Sequence, residues 1–303
     1  MGAEKAKGTI FMLLSTSVGT YLKLFSPKET VDMLKDAGFT ALDFAFFDPK
    51  YYAKDTDASF FTELRAYAEN TGLVFNQAHA PFPSGVGRPE RDEEIFADIV
   101  RSMKNASLLG VKNIVVHPVQ YLVYANDGVP EKLFELNAAF YNRLKPYCEE
   151  YGIRVAVENM WQDKVLAGRC DTRIGHSTCS TPAEFIRYMD ALDGACFTAC
   201  LDLGHTMLVH EKPEDFIRAL GHDRLGALHV HDTDGKRDLH TLPFYGGMGY
   251  WDRITDALCD IDYVGDLTYE AGNFLEPLPK ELYGAASRFM AEVGTYLIGR
   301  CRK

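Results

Sequence analysis

No stretch of the chain is apolar for long enough to cross a bilayer. The longest such run, Ile10 to Leu14, falls far short of the roughly 20 residues a spanning helix needs and of the apolar centre of a secretory leader. Basic residues are few: 32 lysines and arginines against 43 acids give a net charge of -11, which argues against a surface built to displace counterions from nucleic acid. The seven cysteines are an odd number without a C-x-x-C pair, which fits reduced thiols better than a secreted disulfide framework. No Pro/Ser-rich linker and no low-complexity tract divides the sequence. What remains is an ordinary globular composition over 303 residues, 47% hydrophobic and 25% charged, with length for a sizeable core. We therefore expect a cytoplasmic protein forming one domain over residues 1–303, whose partner is a small polar molecule, not nucleic acid and not a membrane; a homo-oligomer is compatible with this.

Short runs rich in β-formers alternate with longer stretches of helical period, the mark of a parallel sheet with crossover helices. Eight strand cores are expected at Ile10 to Leu14, Ala41 to Phe47, Val74 to Gln77, Asn113 to Val116, Val155 to Val157, Thr198 to Leu201, Ala227 to Val230 and Leu267 to Tyr269. Ser26-Pro27-Lys28-Glu29 and Thr181-Pro182-Ala183-Glu184 each offer a hydroxyl cap, a proline for the first helical position and a glutamate able to bond back. Gly38, Gly72, Gly110 and Gly152 each end a helical pattern just before an apolar residue. The expected fold is a (β/α)8 TIM barrel. Met160 to Ser180 and Asp232 to Tyr250 are long connections, read as loops that contact substrate.

Barrel active sites lie at the C-terminal ends of the strands. The side chains expected there are His79, His117, Glu158, Asp202 and His205, His229 and His231, and Glu270. Residues two apart share a strand face, so small residues (Ala156, Cys200, Ala227, Thr268) lie beneath the large polar ones. Acids and imidazoles gathered this way are expensive to bury without a metal or a network of partners. Glu158, Asp202, His229 and Glu270 supply mainly hard oxygen donors with one imidazole, a set that suits Mn²⁺, Mg²⁺ or Co²⁺ and accepts Zn²⁺; Mn²⁺ is the first choice. His79, His117, Asp238 and His240 make a second, softer group, able to bind Zn²⁺, support the first ligands or bond a polyol. Taken singly, Asp202 reads equally well as a helix cap, and His79 and His117 as structural histidines.

Val157-Glu158-Asn159, Leu201-Asp202-Leu203-Gly204-His205, His229-Val230-His231-Asp232, Asp238-Leu239-His240 and Tyr269-Glu270 resemble the xylose isomerase-like TIM barrel superfamily, which holds sugar isomerases and epimerases such as D-tagatose 3-epimerase, and endonuclease IV. The resemblance to the epimerases implies one divalent ion on Glu158, Asp202, His229 and Glu270, with His205 touching substrate. The resemblance to endonuclease IV implies three zinc ions on His79, His117, Glu158, Asp202, His205, His229, Asp238, His240 and Glu270. The acidic chain favours the first. The leading expectation is a metal-dependent isomerase or epimerase of a ketose or related polyol, with Glu158 and Glu270 as base and acid, His205 and His231 orienting hydroxyls, and Trp161 stacking on the sugar. An endonuclease IV-like phosphodiesterase, an inosose dehydratase-like lyase and a non-catalytic sugar-binding barrel are the alternatives.

Overall fold

The computed structural model describes residues 12–166 and 169–301, with the side chains of 164–173 left aside. Parallel strands and helices alternate: β1 (Leu14–Thr16), α1 (Pro27–Ala37), β2 (Ala41–Ala45), α2 (Ser59–Thr71), β3 (Val74–His79), α3 (Pro89–Leu108), β4 (Asn113–Val116), α4 (Val129–Tyr151) and β5 (Arg154–Glu158). A hairpin follows, β6 (Trp161–Leu166) and β7 (Arg169–His176), then α5 (Pro182–Ala191), β8 (Phe197–Asp202), α6 (Leu203–Leu208), α7 (Pro213–Arg224), β9 (Leu225–His229), α8 (Trp251–Asp260), β10 (Leu267–Tyr269) and α9 (Tyr283–Cys301). Six strands pair in the order β2-β3-β4-β5-β8-β9, and β1 pairs with β10. Parallel bridges between Ser17 and Asp43 and between Val230 and Tyr269 join these two sheets into the TIM barrel.

Local chemistry explains the alternation. Ser26 closes a full capping box, accepting from the Glu29 amide while the Glu29 carboxylate accepts from the Ser26 amide, and Pro27 begins α1. Gly38 ends that helix at φ 104, a region that favours glycine and that turns the chain directly into β2. At α5 the hydroxyl of Thr181 accepts from the Glu184 amide as expected, but the Glu184 carboxylate leaves the cap and accepts from the Tyr124 hydroxyl at 2.9 Å. Burial pushes that carboxyl up to about 7 from 4.5, although the Tyr124 hydroxyl and nearby amides favour its charged form. Between those two pH values the folded chain holds a proton that the unfolded chain has lost, so stability falls as pH rises through the window. Glu184→Gln is therefore expected to gain melting temperature over the parent as pH goes from 4.5 to 7 and to hold the gain above it; a difference that stays flat across a pH 4–8 series contradicts this.

Two expectations need correction. The first strand was placed over Ile10 to Leu14; Ile10 and Phe11 lie outside the described residues, and among those described the strand begins at Leu14 and ends at Thr16. Its register with Leu267–Tyr269 is what sets it, and its outer half is polar, so the apolar run points to the wrong end. The segment Met160 to Ser180 is no simple loop but carries the antiparallel hairpin β6/β7. The Asp232 to Tyr250 connection lacks helix and strand, and it is fixed instead by one side chain. Asp232, fully buried, accepts from five backbone amides, those of Thr233, Phe244, Gly247, Met248 and Gly249, at 2.8–3.2 Å. Gly246 is needed in this wrap, because a Cβ there would overlap the Thr233 backbone.

The barrel interior beneath the site is small and closed. Val115, Ala156, Cys200 and Ala227, one from each of four adjacent strands, form their own buried cluster, separate from the large core between sheet and helices.

Candidate metal centre

Strand ends carry the site. His79, Glu158, Asp202 and His229 are the last residues of β3, β5, β8 and β9, and Glu270 follows β10 directly. The strands are in parallel register, which puts Asp202 level with His229 and Glu158 level with Cys200, two residues below Asp202, so the side chains rise from staggered levels toward one centre. One ligand atom from each of Glu158, Asp202, His229 and Glu270 lies within 4.8 Å of the others, a spacing that can hold a metal ion. The nitrogen His229 turns inward is Nδ1, 3.0 Å from Glu158 Oε1 and 3.2 Å from Glu270 Oε2.

Two further groups adjoin it. His79 and His117 approach the other oxygen of Glu158, Oε2, at 3.6 and 3.0 Å. His205, His231, Asp238 and His240 converge within the same 4.8 Å limit. His205 Nε2 and His240 Nε2 lie 3.4 and 2.9 Å from Asp238 Oδ2, which also accepts from the Trp161 indole at 3.3 Å.

The imidazoles are oriented as metal ligands are. His79, His205 and His240 each donate from Nδ1 to a backbone carbonyl, of Ala80, Asn159 and Glu270, at 2.7–2.9 Å, which leaves every Nε2 lone pair facing inward. Asp238 Oδ1 is buried without a hydrogen-bond partner, an acceptor that a cation would satisfy. Burial alone would raise the Glu158 carboxyl, but the imidazoles of His229 and His117 hold it well below the usual range. Burial would likewise lower His240, yet the carboxylates of Glu270 and Asp238 bring it up to about 10. The acids thus favour a proton on His240, which a divalent cation bound here would displace. The residues present fit such an ion.

The supporting contacts follow from the sequence around each ligand. Asn159 ties the ends of β5 and β8, its amide donating to the Asp202 carbonyl and its side-chain oxygen accepting from the Asp202 amide. Asp202 is also the cap of α6, accepting from the His205 amide at 2.7 Å, so the cap reading and the ligand reading hold together. His231 is fully buried with Nε2 2.9 and 3.0 Å from the Asp202 oxygens, a position that steadies Asp202 and does not reach a hydroxyl in the cavity. Gly204 leaves room for it: a Cβ there would overlap the His231 ring.

A cavity of about 890 Å³ opens above these groups, lined by His79, His117, Glu158, Trp161, His205, Asp238, His240 and Glu270. Asp202, His229 and His231 lie beneath its floor. Its charge is acidic. Asp163 adds to the ligand carboxylates, while Lys23 is paired with Glu276 and Lys50 with Asp48, both at 2.7 Å, so that those charges cancel. Sequence reasoning missed three contributors: the buried Asp43 on β2, and the aromatic rings of Phe47 and Phe82 on the cavity wall. An acid between Leu42 and Phe44 in an otherwise apolar strand was the available signal for the first.

Fold and site together define a parallel barrel whose mouth gathers carboxylates and imidazoles able to hold divalent metal. The chain belongs to the xylose isomerase-like TIM barrel family, whose profile matches residues 31–293. By sequence it is similar to an uncharacterized protein of Sinorhizobium fredii (24% identical, covering 80% of each chain) and to a probable endonuclease 4 of Bacillus anthracis (27% identical, 61% of this chain and 62% of the relative). By structure it is similar to a D-tagatose 3-epimerase-like protein (TM-score 0.73, 18% identity, 95% of this chain and 98% of that one) and to a D-psicose 3-epimerase crystallised in the presence of D-fructose (0.72, 16%, 95% and 100%). It is also similar to the IolI protein with a bound zinc atom (0.72, 17%, 96% and 98%). At these identities the structural likeness is one of fold. No helix among the described residues is long and apolar enough to cross a membrane.

Proposed function

We propose that the protein is a divalent-metal-dependent isomerase or epimerase acting on a ketose or related polyol. The observation that carries the reading is that Glu158 and Glu270 both line the cavity and both belong to the four-residue group whose ligand atoms lie within 4.8 Å of one another. Glu158, Asp202, His229 and Glu270 would hold the ion, with Mn²⁺ preferred for the oxygen-rich set. When bound, it acts as a Lewis acid toward a carbonyl oxygen and makes the neighbouring C–H more acidic. Glu158 and Glu270 then take and return that proton, while His205 and His240 meet hydroxyls and Trp161 offers a face for the sugar ring.

A second reading, a multi-metal phosphodiesterase, draws support from the two further ligand groups and from the likeness to probable endonuclease 4. The neutralised lysines and the acids around the cavity oppose a polyanionic substrate. Incubation with Mn²⁺ and a panel of ketoses in heavy water tests the first reading: deuterium is expected at the carbon beside the carbonyl of at least one sugar. No exchange on any of them rejects it. Loss of water from an inosose in the same assay would instead identify a lyase using the same base, and about three tightly held metals with nicking of abasic DNA would favour the phosphodiesterase.

A further inference from the structure

The cavity is larger and more apolar than a free ketose needs. Its volume of about 890 Å³ stands near the top of the roughly 300–1,000 Å³ range of sites that enclose drug-sized molecules. One side of it is aromatic. Phe47, just past β2, and Phe82, in the β3–α3 connection, line it and are 42% and 55% exposed, and their rings meet edge to face at 5.3 Å. What sets these two apart from the other exposed rings of the chain is their place on the cavity wall. They are also continuous with the ligand cluster: Phe82 stacks on His117 at 5.0 Å, and Phe47 meets His79 edge-on at 5.0 Å. The aromatic wall thus adjoins the place where a molecule held between Glu158 and Glu270 would lie. Charge bears on the rest of such a molecule: among the described residues both lysines of the cavity are already paired and no arginine lines it, so nothing there is set to hold a phosphate substituent, and a neutral one needs no such partner.

We infer that the substrate is a keto sugar carrying a flat apolar substituent, a glycoside with an aryl aglycone and a carbonyl on its sugar ring, which packs on Phe47 and Phe82 while the carbonyl-bearing sugar occupies the carboxylate end. This rests on the sugar-processing reading above and adds the class of substrate to it. An aryl ring buried on two phenylalanines gains from removal of apolar surface and from edge and face contacts, enough for about a tenfold or larger advantage over a methyl group.

Calorimetric titration of the metal-loaded protein with methyl β-D-glucopyranoside and phenyl β-D-glucopyranoside tests it. The phenyl compound is expected to bind at least about 10-fold more tightly, and in Phe47→Ala and Phe82→Ala the ratio of the two affinities is expected to shrink toward unity. The ratio is the readout because general damage to the site moves both ligands alike. Equal affinities in the parent, no measurable binding of the phenyl compound, or a ratio unchanged in both variants overturns the inference. The two ideas fail separately: a phenyl preference without deuterium exchange on any sugar removes the reaction and keeps the subsite, whereas exchange on free ketoses without a phenyl preference does the reverse.

Discussion

Glu158→Gln is expected to abolish tight divalent-metal binding and proton exchange together. The side chain is fully buried, and its two oxygens serve different groups, Oε1 facing His229 and Oε2 facing His117 and His79. An amide of the same shape keeps the packing but removes the negative charge, and it places a nitrogen donor where one acceptor now stands. Loss of an outer partner of a metal ligand lowers affinity roughly 10–100-fold, and loss of a charged ligand shared by two groups exceeds that. Exchange into substrate is expected to fall by at least about 100-fold on removal of the base. Metal titration by calorimetry, elemental analysis and the heavy-water assay read both effects. Retention of parental metal affinity would take Glu158 out of the centre, and with it the proposed chemistry.

Asp43→Asn is expected to do something a purely structural residue would not, weakening metal binding while making the metal-free protein more stable. Both oxygens of Asp43 are buried without a partner, and so is His229 Nε2, which lies 4.0 Å from Oδ2. The amide nitrogen of Gln77, the register partner of Asp43 on β3, is also unpartnered. His229 presents Nδ1 to Glu158 and Glu270, so a metal bound there obliges Nε2 to carry the proton, and the carboxylate on that side favours this tautomer. Without metal the carboxylate is mostly a burden: burial pushes it up to about 6 from 3.8, although His229 and His79 favour its charge. The penalty is absent where both states are protonated, below about pH 4, and complete above about pH 7, so the gain in melting temperature of the variant belongs to the upper range. Metal affinity is expected to fall about 10-fold at the same time. Unchanged affinity, or an apo protein that melts lower at pH 7.5, contradicts the assignment.

The alternation of strands and helices was legible because caps, prolines and glycines punctuate it. Ser26, Pro27 and Gly38 act where the sequence puts them, since each works over four residues or fewer. The gathering of Glu158, Asp202, His229 and Glu270 was legible for a related reason: an acid or imidazole ending an apolar strand stands at the barrel rim. What escaped depends on distant pairing. Ser15 and Thr16 are strand residues only because β10 lies beside them, and the polar residues of β6 and β7 conceal a hairpin that period-2 reading passes over. Asp232 looked like one more acid in a motif, and only the folded loop reveals that amides up to Gly249 converge on it. Phe47 was counted as core at the end of a strand, whereas the chain leaves the sheet at Ala45 and turns that ring outward.

The layer of Val115, Ala156, Cys200 and Ala227 makes the barrel a cup with a single rim. Each of these side chains is at most 2% exposed, so that layer offers no passage to the far end. A molecule that enters above this layer would leave by the way it came, and a compound wide enough to stopper the rim would hold back whatever lies below.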